Sequence, residues 1–158
     1  MKNKKQDRVR IRKVRDVEWP AVFEIYEQGF GSAGDRLKDS ACVVARMNKK
    51  VVGFALLDIK DKEVYISNVG VHEEFRGRGI CTKMLKKLTK MLPDFDRKKL
   101  TLMVARDNES AVRCYRSVGF RPVKEDASGG FLSSMMDMEF KSKWRRKGRK
   151  CSKDRCNN

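Results

Sequence analysis

Short apolar runs separated by polar turns dominate the first half of the chain. Alternating or continuous apolar positions, rich in valine and isoleucine, predict strands over residues 9–14, 41–47, 51–59 and 63–71. From Asp16 onward the apolar residues instead repeat at helical spacing, which predicts a helix between the first two strands. The polar residues 31–40 that follow it include two glycines and fit a short second helix.

The second half of the chain alternates helices with strands. A helix over residues 79–92 is predicted to stop at Pro93, and a second helix over 108–118 to stop before Gly119. Strands are predicted over residues 100–105, 121–125 and 131–140. Because strands and helices mix without strict alternation, the chain is predicted to fold as an α/β (mixed α+β) three-layer sandwich.

The charge of the chain is concentrated at its two ends. Of a formal net charge of +17 over 158 residues, only +2 belongs to residues 16–140. This distribution predicts a basic N-terminal extension (1–8), a folded domain (9–140) and a basic, disordered C-terminal tail (141–158). The basic ends suit attachment to nucleic acid, nuclear import or an acidic partner, and equally a solvated tail that only adds solubility.

Composition bounds the compartment and the kind of site. No apolar run reaches the length of a membrane span, and the N-terminus lacks the apolar core of a secretory signal, so we expect no membrane partner. Five cysteines at spacings that fit no metal pattern predict free thiols in a reducing compartment and no metal site. The protein is therefore predicted to be intracellular, in the cytoplasm or, given the basic tail, the nucleus.

A glycine-containing basic turn follows the strand at residues 63–71. Gly77 and Gly79 can adopt backbone angles that are closed to other residues, and the next helix opens directly after them. Its first N–H groups and the positive end of its dipole would then face an anion, which suits a pyrophosphate. The turn has neither the Gly-Lys-Ser/Thr of a P-loop nor the three glycines of a dinucleotide-binding fingerprint.

A second motif lies one helix and one strand later. Asn108 is a good N-cap residue and Gly119 a good C-terminal residue for the helix between them. Along this helix Asn108, Ala111, Tyr115 and Val118 fall on one stripe.

The two motifs together resemble the GNAT superfamily of N-acetyltransferases. The spacing Arg76-x-x-Gly79-x-Cys81 resembles its coenzyme A loop, although Cys81 stands where the family prefers Gly or Ala. The block Asn-x-x-Ala-x-x-x-Tyr-x-x-x-Gly-Phe from Asn108 resembles the motif that follows the family's fifth strand. The resemblance covers about residues 9–140 and implies a mostly antiparallel, splayed central sheet with acetyl-CoA as cosubstrate.

The resemblance also implies roles for individual residues. Tyr115 matches the tyrosine near the thioester sulfur and is the candidate general acid, and Tyr65 matches a tyrosine that holds a catalytic water in some protein Nα-acetyltransferases. The residues implied to bind coenzyme A are Val69, Gly70, Val71, Arg76, Gly77, Arg78, Gly79, Ile80, Cys81 and Asn108.

The general base is the open point. Met103 stands where that subgroup often has His or Glu, and a thioether accepts no proton. Water held by Tyr65 and backbone carbonyls, Glu63 or Glu27, or a substrate other than a protein N-terminus would each account for this. His72, the only histidine, is interpreted as a surface residue.

The sequence thus predicts an acetyl-CoA-dependent N-acetyltransferase whose acceptor, a primary amine of a protein or peptide, attacks the thioester directly. Small amines and polyamines are the alternative acceptors, because one fold serves many substrates. The basic ends argue mildly against polyamines through long-range repulsion. An alternative of another class is a nonenzymatic acetyl-CoA-binding module tethered to nucleic acid by its tail.

Overall fold

A computed structural model of the chain describes residues 8–32, 34–123 and 134–145. Its strands are β1 (Arg10–Lys13), β2 (Ala41–Met47), β3 (Lys50–Ile59), β4 (Val64–Val71), β5 (Lys99–Ala105), β6 (Arg121–Pro122) and β7 (Met135–Lys141). Its α-helices are α1 (Trp19–Phe30), α2 (Ile80–Met91) and α3 (Glu109–Val118). Short 3-10 helices occupy Asp16–Glu18, Asp35–Asp39, Glu73–Phe75 and Leu92–Phe95.

The strands form one open sheet in the order β1-β2-β3-β4-β5-β7-β6. Neighbours run antiparallel except β4 and β5, which are parallel. That parallel contact is short, because only Val64–Ile66 pairs with Leu100–Leu102 while both strands continue beyond it. The mixed α+β fold with a mostly antiparallel, splayed sheet is therefore confirmed.

Alternation along the strands creates two cores and hence three layers. Val43 and Ala45 of β2 point to the face covered by α2 and α3, where the larger core lies. Cys42 and Val44 point to the opposite face, where α1 packs with Trp19, Val22 and Ile25. The two-residue period of a strand places consecutive side chains on opposite faces, so one strand serves both cores.

Most predicted elements are present, with shifted ends. The β2–β3 turn is tighter than predicted: Asn48 and Lys49 both have positive φ, and β3 begins at Lys50. This is the geometry of a two-residue hairpin whose twist matches the strands. Pro93 does not end α2 abruptly but lies in a 3-10 helix, because proline fits the first turn of such a helix.

The ends of the chain are described only in part. The last strand runs to Lys141, one residue beyond the predicted domain boundary, and the N–H of Ser142 donates to the carbonyl of Lys98 at 2.7 Å. The predicted N-terminal extension up to residue 7, the strand residues 124–125 and 131–133, and the tail from 146 onward lie outside the described residues.

Gly70 on β4 fits against an aromatic ring of the smaller core. A Cβ placed at Gly70 would lie 2.5 Å from the Cε1 atom of Phe54. Phe54 is fully buried and contacts the rings of Tyr26 and Phe30, so it has little room to move. A side chain at position 70 would therefore overpack the sheet near the splay.

We predict that Gly70→Ala lowers the free energy of unfolding by about 1–3 kcal/mol because of this clash. The matched control is Gly29→Ala in α1, where a Cβ meets no atom within 4 Å. That change should raise stability by about 0.5–1 kcal/mol, since Ala is the better helix former. Urea unfolding measures both values, and an equal effect at the two positions would contradict the packing described for Gly70.

Candidate functional site

The opening between β4 and β5 is the centre of the candidate site. After Ile66 the register of β4 against β3 shifts, because Leu57 pairs with Ile66 while Leu56 pairs with Asn68. Ser67 is the extra residue of this bulge, and its hydroxyl donates to the carbonyl of Leu56 at 3.3 Å. A bulge bends its strand and increases its twist, so β4 turns away from β5 at this point.

Beyond the bulge one edge of β4 carries unpaired backbone groups. Val69, Gly70 and Val71 pair with β3 on one side only, and the β5 pairing has ended at Ile66. Unpaired N–H and C=O groups of a strand edge can bind an extended ligand in the manner of an added strand. The predicted pantetheine-binding residues thus lie at an edge that is open to a ligand.

The turn between β4 and α2 has the backbone geometry predicted for an anion site. Gly77 and Gly79 have φ values of 75° and 73°, in the left-handed region that glycine tolerates. A Cβ at either position would meet no atom within 4 Å, so the turn is open to solvent. Gly79 is the N-cap of α2 and supplies no side-chain cap. The N–H of Lys83 donates to the carbonyl of Gly79 at 3.1 Å, so the N–H groups of the first turn before it have no acceptor within the helix.

Both arginines of this turn contact neighbouring residues. The Nε–H of Arg76 donates to the carbonyl of Val71 at 3.1 Å, which links the turn back to the end of β4. The guanidinium of Arg78 lies 4.9 Å from the ring of Phe75. Ile80 is buried in the core, so only its backbone is available at the surface. The turn therefore presents its backbone N–H groups together with two exposed arginine side chains.

α3 closes the other side of the opening. The side-chain oxygen of Asn108 accepts a hydrogen bond from the N–H of Ala111 at 3.2 Å, and Gly119 ends the helix with φ 115°. Both caps are those predicted from sequence. A cavity of about 210 Å³ separates α3 from the strands; its lining comprises Phe30, Ile66, Ser67, Asn68, Val69, Leu102, Met103, Val104, Ala105, Asn108, Tyr115 and Met135.

Tyr115 is held protonated by its surroundings. Burial, and then the neighbouring Cys81 and Cys114, raise the pKa of the Tyr115 phenol above its usual value. A phenol with a raised pKa remains a proton donor through the neutral range.

A second depression adjoins the first on the opposite face of the sheet. Leu102 and Met103 of β5 border both depressions, because Leu102 faces α2 and α3 while Met103 lies on the opposite face of the sheet. The second depression, of about 480 Å³, is lined by Lys60, Glu63, Tyr65, Lys99, Thr101, Leu102, Met103, Val123, Asp137, Met138 and Glu139. We call it the acidic groove because the carboxylates of Glu63, Asp137 and Glu139 lie in its lining.

Tyr65 lies in the acidic groove with the ammonium of Lys60 4.3 Å from the centre of its ring. Partial burial, and then the carboxylates of Asp137 and Asp58, raise the pKa of Tyr65. Tyr65 and Tyr115 therefore border adjoining depressions on either side of β5 and do not share one.

The residues considered as alternative bases lie in three different places. Glu63 lines the acidic groove, where its carboxylate is 3.1 Å from the ammonium of Lys99. Glu27 is exposed on α1 and lines neither depression. The Nδ1 atom of His72 accepts a hydrogen bond from the N–H of Glu74 at 3.2 Å, which caps the 3-10 helix Glu73–Phe75. His72 thus has a local structural role at the end of β4.

Asp137 is the functional candidate that the sequence did not reveal. It pairs directly with Met103 across β5 and β7, so it supplies a carboxylate beside the position where a base was sought. The alternation of polar and apolar residues in the last strand was the available signal for Asp137. Placing Asp137 beside Met103 also requires the register between two strands that are about 30 residues apart. Register is set by long-range packing, which no local motif encodes.

Outside the site, three further observations bear on the sequence predictions. Among the described residues no group of three His, Cys, Asp or Glu side chains could hold a metal ion, and none of the described helices is long and apolar enough to cross a membrane. A groove of about 550 Å³ between β1 and α2 is lined by Arg8, Val9, Arg10, Ile11, Lys83, Lys86, Lys87 and Lys90. Nucleic-acid attachment through the basic ends stays a prediction.

Comparison with known proteins gives a family and a set of shared folds. The model of the acetyltransferase (GNAT) family matches residues 9–120. An acetyltransferase of Pectobacterium atrosepticum is 31% identical over 81 residues, which cover 51% of this chain and 57% of that protein. The matched segment thus spans little more than half the length of this curated relative.

Two solved structures illustrate the similarity of fold. The ribosomal-protein-S18-alanine N-acetyltransferase from Escherichia coli has a TM-score of 0.70 and 18% identity, covering 90% of this chain and 99% of that chain. A putative acetyltransferase from Salmonella typhimurium, solved with its cofactor acetyl-CoA, gives the same TM-score, identity and coverage.

Proposed function

The chain belongs to the acetyltransferase (GNAT) family, as its two motifs indicated, and we propose that the whole protein transfers an acetyl group from acetyl-CoA to a primary amine of a protein or peptide. The observation that carries the proposal is the opening between β4 and β5. It places Val69 of the unpaired strand edge and Tyr115 at one cavity, and the uncapped N-terminus of α2 follows the same strand edge along the chain.

We assign the cofactor to this opening. The first-turn N–H groups of α2 and the positive end of its dipole would bind the diphosphate, for which the turn offers an open approach at Gly77 and Gly79. The pantetheine arm would lie along β4 and bind backbone groups of Val69 and Val71, with Asn108 at the mouth of the cavity. Acetyl-CoA supplies the activated acyl group, as it does to this family.

The acceptor amine would attack the thioester directly from the acidic groove. Met103 and Leu102 border both depressions, so the gap beside β5 offers a path from the groove to the cavity. Backbone N–H groups at the edge of β4 would stabilise the oxyanion that forms on the thioester carbonyl. Tyr115 would then donate its proton to the departing thiolate, since its raised pKa keeps the phenol protonated.

We predict that Tyr115→Phe lowers kcat by at least about 100-fold, because general acid catalysis typically contributes that much. The dissociation constant for coenzyme A should change less than threefold, since the phenol acts on sulfur and not on the diphosphate. Tyr26→Phe removes a hydroxyl from a tyrosine that lies outside the cavity lining and serves as the control. Full turnover in Tyr115→Phe would exclude Tyr115 as the general acid. A wild-type protein that binds coenzyme A but has no turnover would instead favour the nonenzymatic acetyl-CoA-binding module.

The amine must also lose a proton before or during attack, since alkylamines are mostly protonated near neutrality. We propose that Asp137 accepts this proton, through a water hydrogen-bonded to Tyr65. Asp137 faces Met103 across the strand pair and lines the groove with Tyr65. Glu63 is the weaker candidate, because Lys99 already neutralises its carboxylate at 3.1 Å.

Asp137→Asn should therefore lower kcat by about 100-fold or more and steepen the dependence of the rate on pH, because only the minor unprotonated amine could then react. Asp58→Asn is the matched control: Asp58 also raises the pKa of Tyr65, yet it lies outside the groove. Rate against pH, measured for both variants, separates a proton acceptor from a merely structural carboxylate. Identical profiles for the two would exclude Asp137 from proton transfer.

The groove also bears on the choice of acceptor. Lys99 and Lys141 pair with Glu63 and Glu139, so Asp137 is the groove carboxylate that could attract an ammonium group. The repulsion argument against polyamines therefore loses its force at the site itself. A protein or peptide remains the proposed acceptor, because the groove is open enough for a chain terminus and the Escherichia coli neighbour is named for a ribosomal protein substrate.

A panel of acceptors with acetyl-CoA tests this assignment. We expect peptides with free N-termini or lysine side chains to give a kcat/KM at least about tenfold above that of spermidine, because a peptide can fill more of the groove than a polyamine. Blocking the N-terminal amine of each peptide distinguishes Nα from Nε transfer. Acetylation of spermidine without acetylation of any peptide would overturn the proposed acceptor class and leave the transfer chemistry intact.

A further inference from the structure

Two cysteine thiols meet between the helices that border the proposed cofactor site. Cys81 is the second residue of α2, and Cys114 lies in the middle of α3, one residue before Tyr115. Their sulfur atoms are 3.9 Å apart, and the Cys114 sulfur is also 3.3 Å from the hydroxyl oxygen of Thr82. Both cysteines are only partly buried, so small molecules can approach the pair.

We propose that Cys81 and Cys114 are a redox modification site, a dithiol that closes reversibly to a disulfide and thereby controls the cofactor site. The chemistry stands on the geometry of the pair alone, whereas its effect on activity rests on the proposed function. The oxidant is a low-molecular-weight disulfide, of which coenzyme A disulfide and glutathione disulfide are members.

The two thiols differ in pKa, and this difference indicates which sulfur attacks first. Hydrogen bonding from Cys81 and from Thr82, against the opposing effect of burial, lowers the pKa of Cys114, while that of Cys81 is raised. The thiolate is the nucleophile in disulfide exchange, so Cys114 is the sulfur that attacks first. Cys42 provides a contrast, because burial raises the pKa of its thiol to about 12.

The exchange balances in two steps. The Cys114 thiolate attacks one sulfur of the small disulfide, forms a mixed disulfide and releases one small thiolate. Cys81 then loses its proton to solvent and attacks the Cys114 sulfur, which releases the second small thiolate. The two cysteines give up two electrons, and the small disulfide is reduced to two thiols.

Closure would alter the site from both sides. The sulfur atoms must approach from 3.9 Å to about 2.05 Å, which draws the first turn of α2 toward α3. That turn carries the N–H groups proposed for the diphosphate, and the neighbour of Cys114 is the proposed acid. The disulfide form should therefore bind coenzyme A less tightly and turn over more slowly.

The proposed disulfide explains why a cysteine stands at position 81 of the loop. Cys81 occupies the position where the resemblance implies Gly or Ala, so a thiol is not needed for the turn to form. A small apolar residue would fill the same space, because cysteine packs as a small hydrophobe. What the cysteine adds at this place is a partner for Cys114.

The test is incubation of the full chain with glutathione disulfide, followed by alkylation of free thiols, trypsin digestion and mass spectrometry. Trypsin separates the two cysteines into peptides 79–83 and 114–116, so their linkage is identified directly and apart from the tail cysteines. We expect these two peptides to be linked and kcat/KM to fall by at least about tenfold. Dithiothreitol should then reduce the disulfide and restore kcat/KM. Coenzyme A binding, measured by calorimetry, should weaken in parallel.

Three variants make the result specific. Cys114→Ala should lose the response to oxidant, Cys81→Ala should form no linked peptide, and Cys42→Ala should respond as wild type. The proposal is overturned if the linked peptides do not form, if they form without any change in binding or rate, or if Cys114→Ala is inhibited as strongly as wild type. These outcomes differ from a failure of the proposed acetyl transfer. In that case the linked peptides would still form, but the untreated protein would have no turnover.

Discussion

The early end of the parallel pairing between β4 and β5 is the constraint on which the rest of the site depends. Pairing stops at Ile66 and Leu102 although both strands continue. Each strand keeps its other neighbour, β3 or β7, so the sheet stays intact while a gap opens within it. The bulge at Ser67 and the close packing of Gly70 on Phe54 hold β4 in its diverging course. The gap exposes backbone groups that a fully paired sheet would have satisfied internally.

Most strands, helices and helix caps could be predicted from the sequence, because they depend on local residue type and spacing. The strands of the first half and the two helices after the glycine turn follow from apolar spacing, and the caps at Asn108 and Gly119 follow from residue type. The position of β1 and the ends of several elements shifted by one or two residues, where fraying and packing decide and propensity does not. The positive φ values of Asn48 and Lys49 are an example, since the hairpin twist overrides the usual preference of lysine.

Long-range register was beyond the sequence, and the acidic groove depends on it. Met103 suggested a site without a base, because local spacing places no acid at that position on β5. The base candidate Asp137 comes from the opposing strand, and its nearness to Tyr65 depends on how β4, β5 and β7 align. The same alignment concentrates carboxylates at one place in a chain with a net charge of +17.

In the proposed complex, coenzyme A lies in the gap between β4 and β5 with its diphosphate at the N-terminus of α2. Backbone-amide NMR during a titration with coenzyme A tests this placement, with 3′-phosphoadenosine 5′-diphosphate as a ligand that keeps the diphosphate and lacks the pantetheine arm. We expect large shifts at residues 77–82 and 69–71 with coenzyme A, and the loss of the shifts at 69–71 alone with the shorter nucleotide. Shifts confined to the lysine-rich face of α2, at residues 83–90, with none at 69–71, would show unspecific anion binding and contradict this placement of coenzyme A.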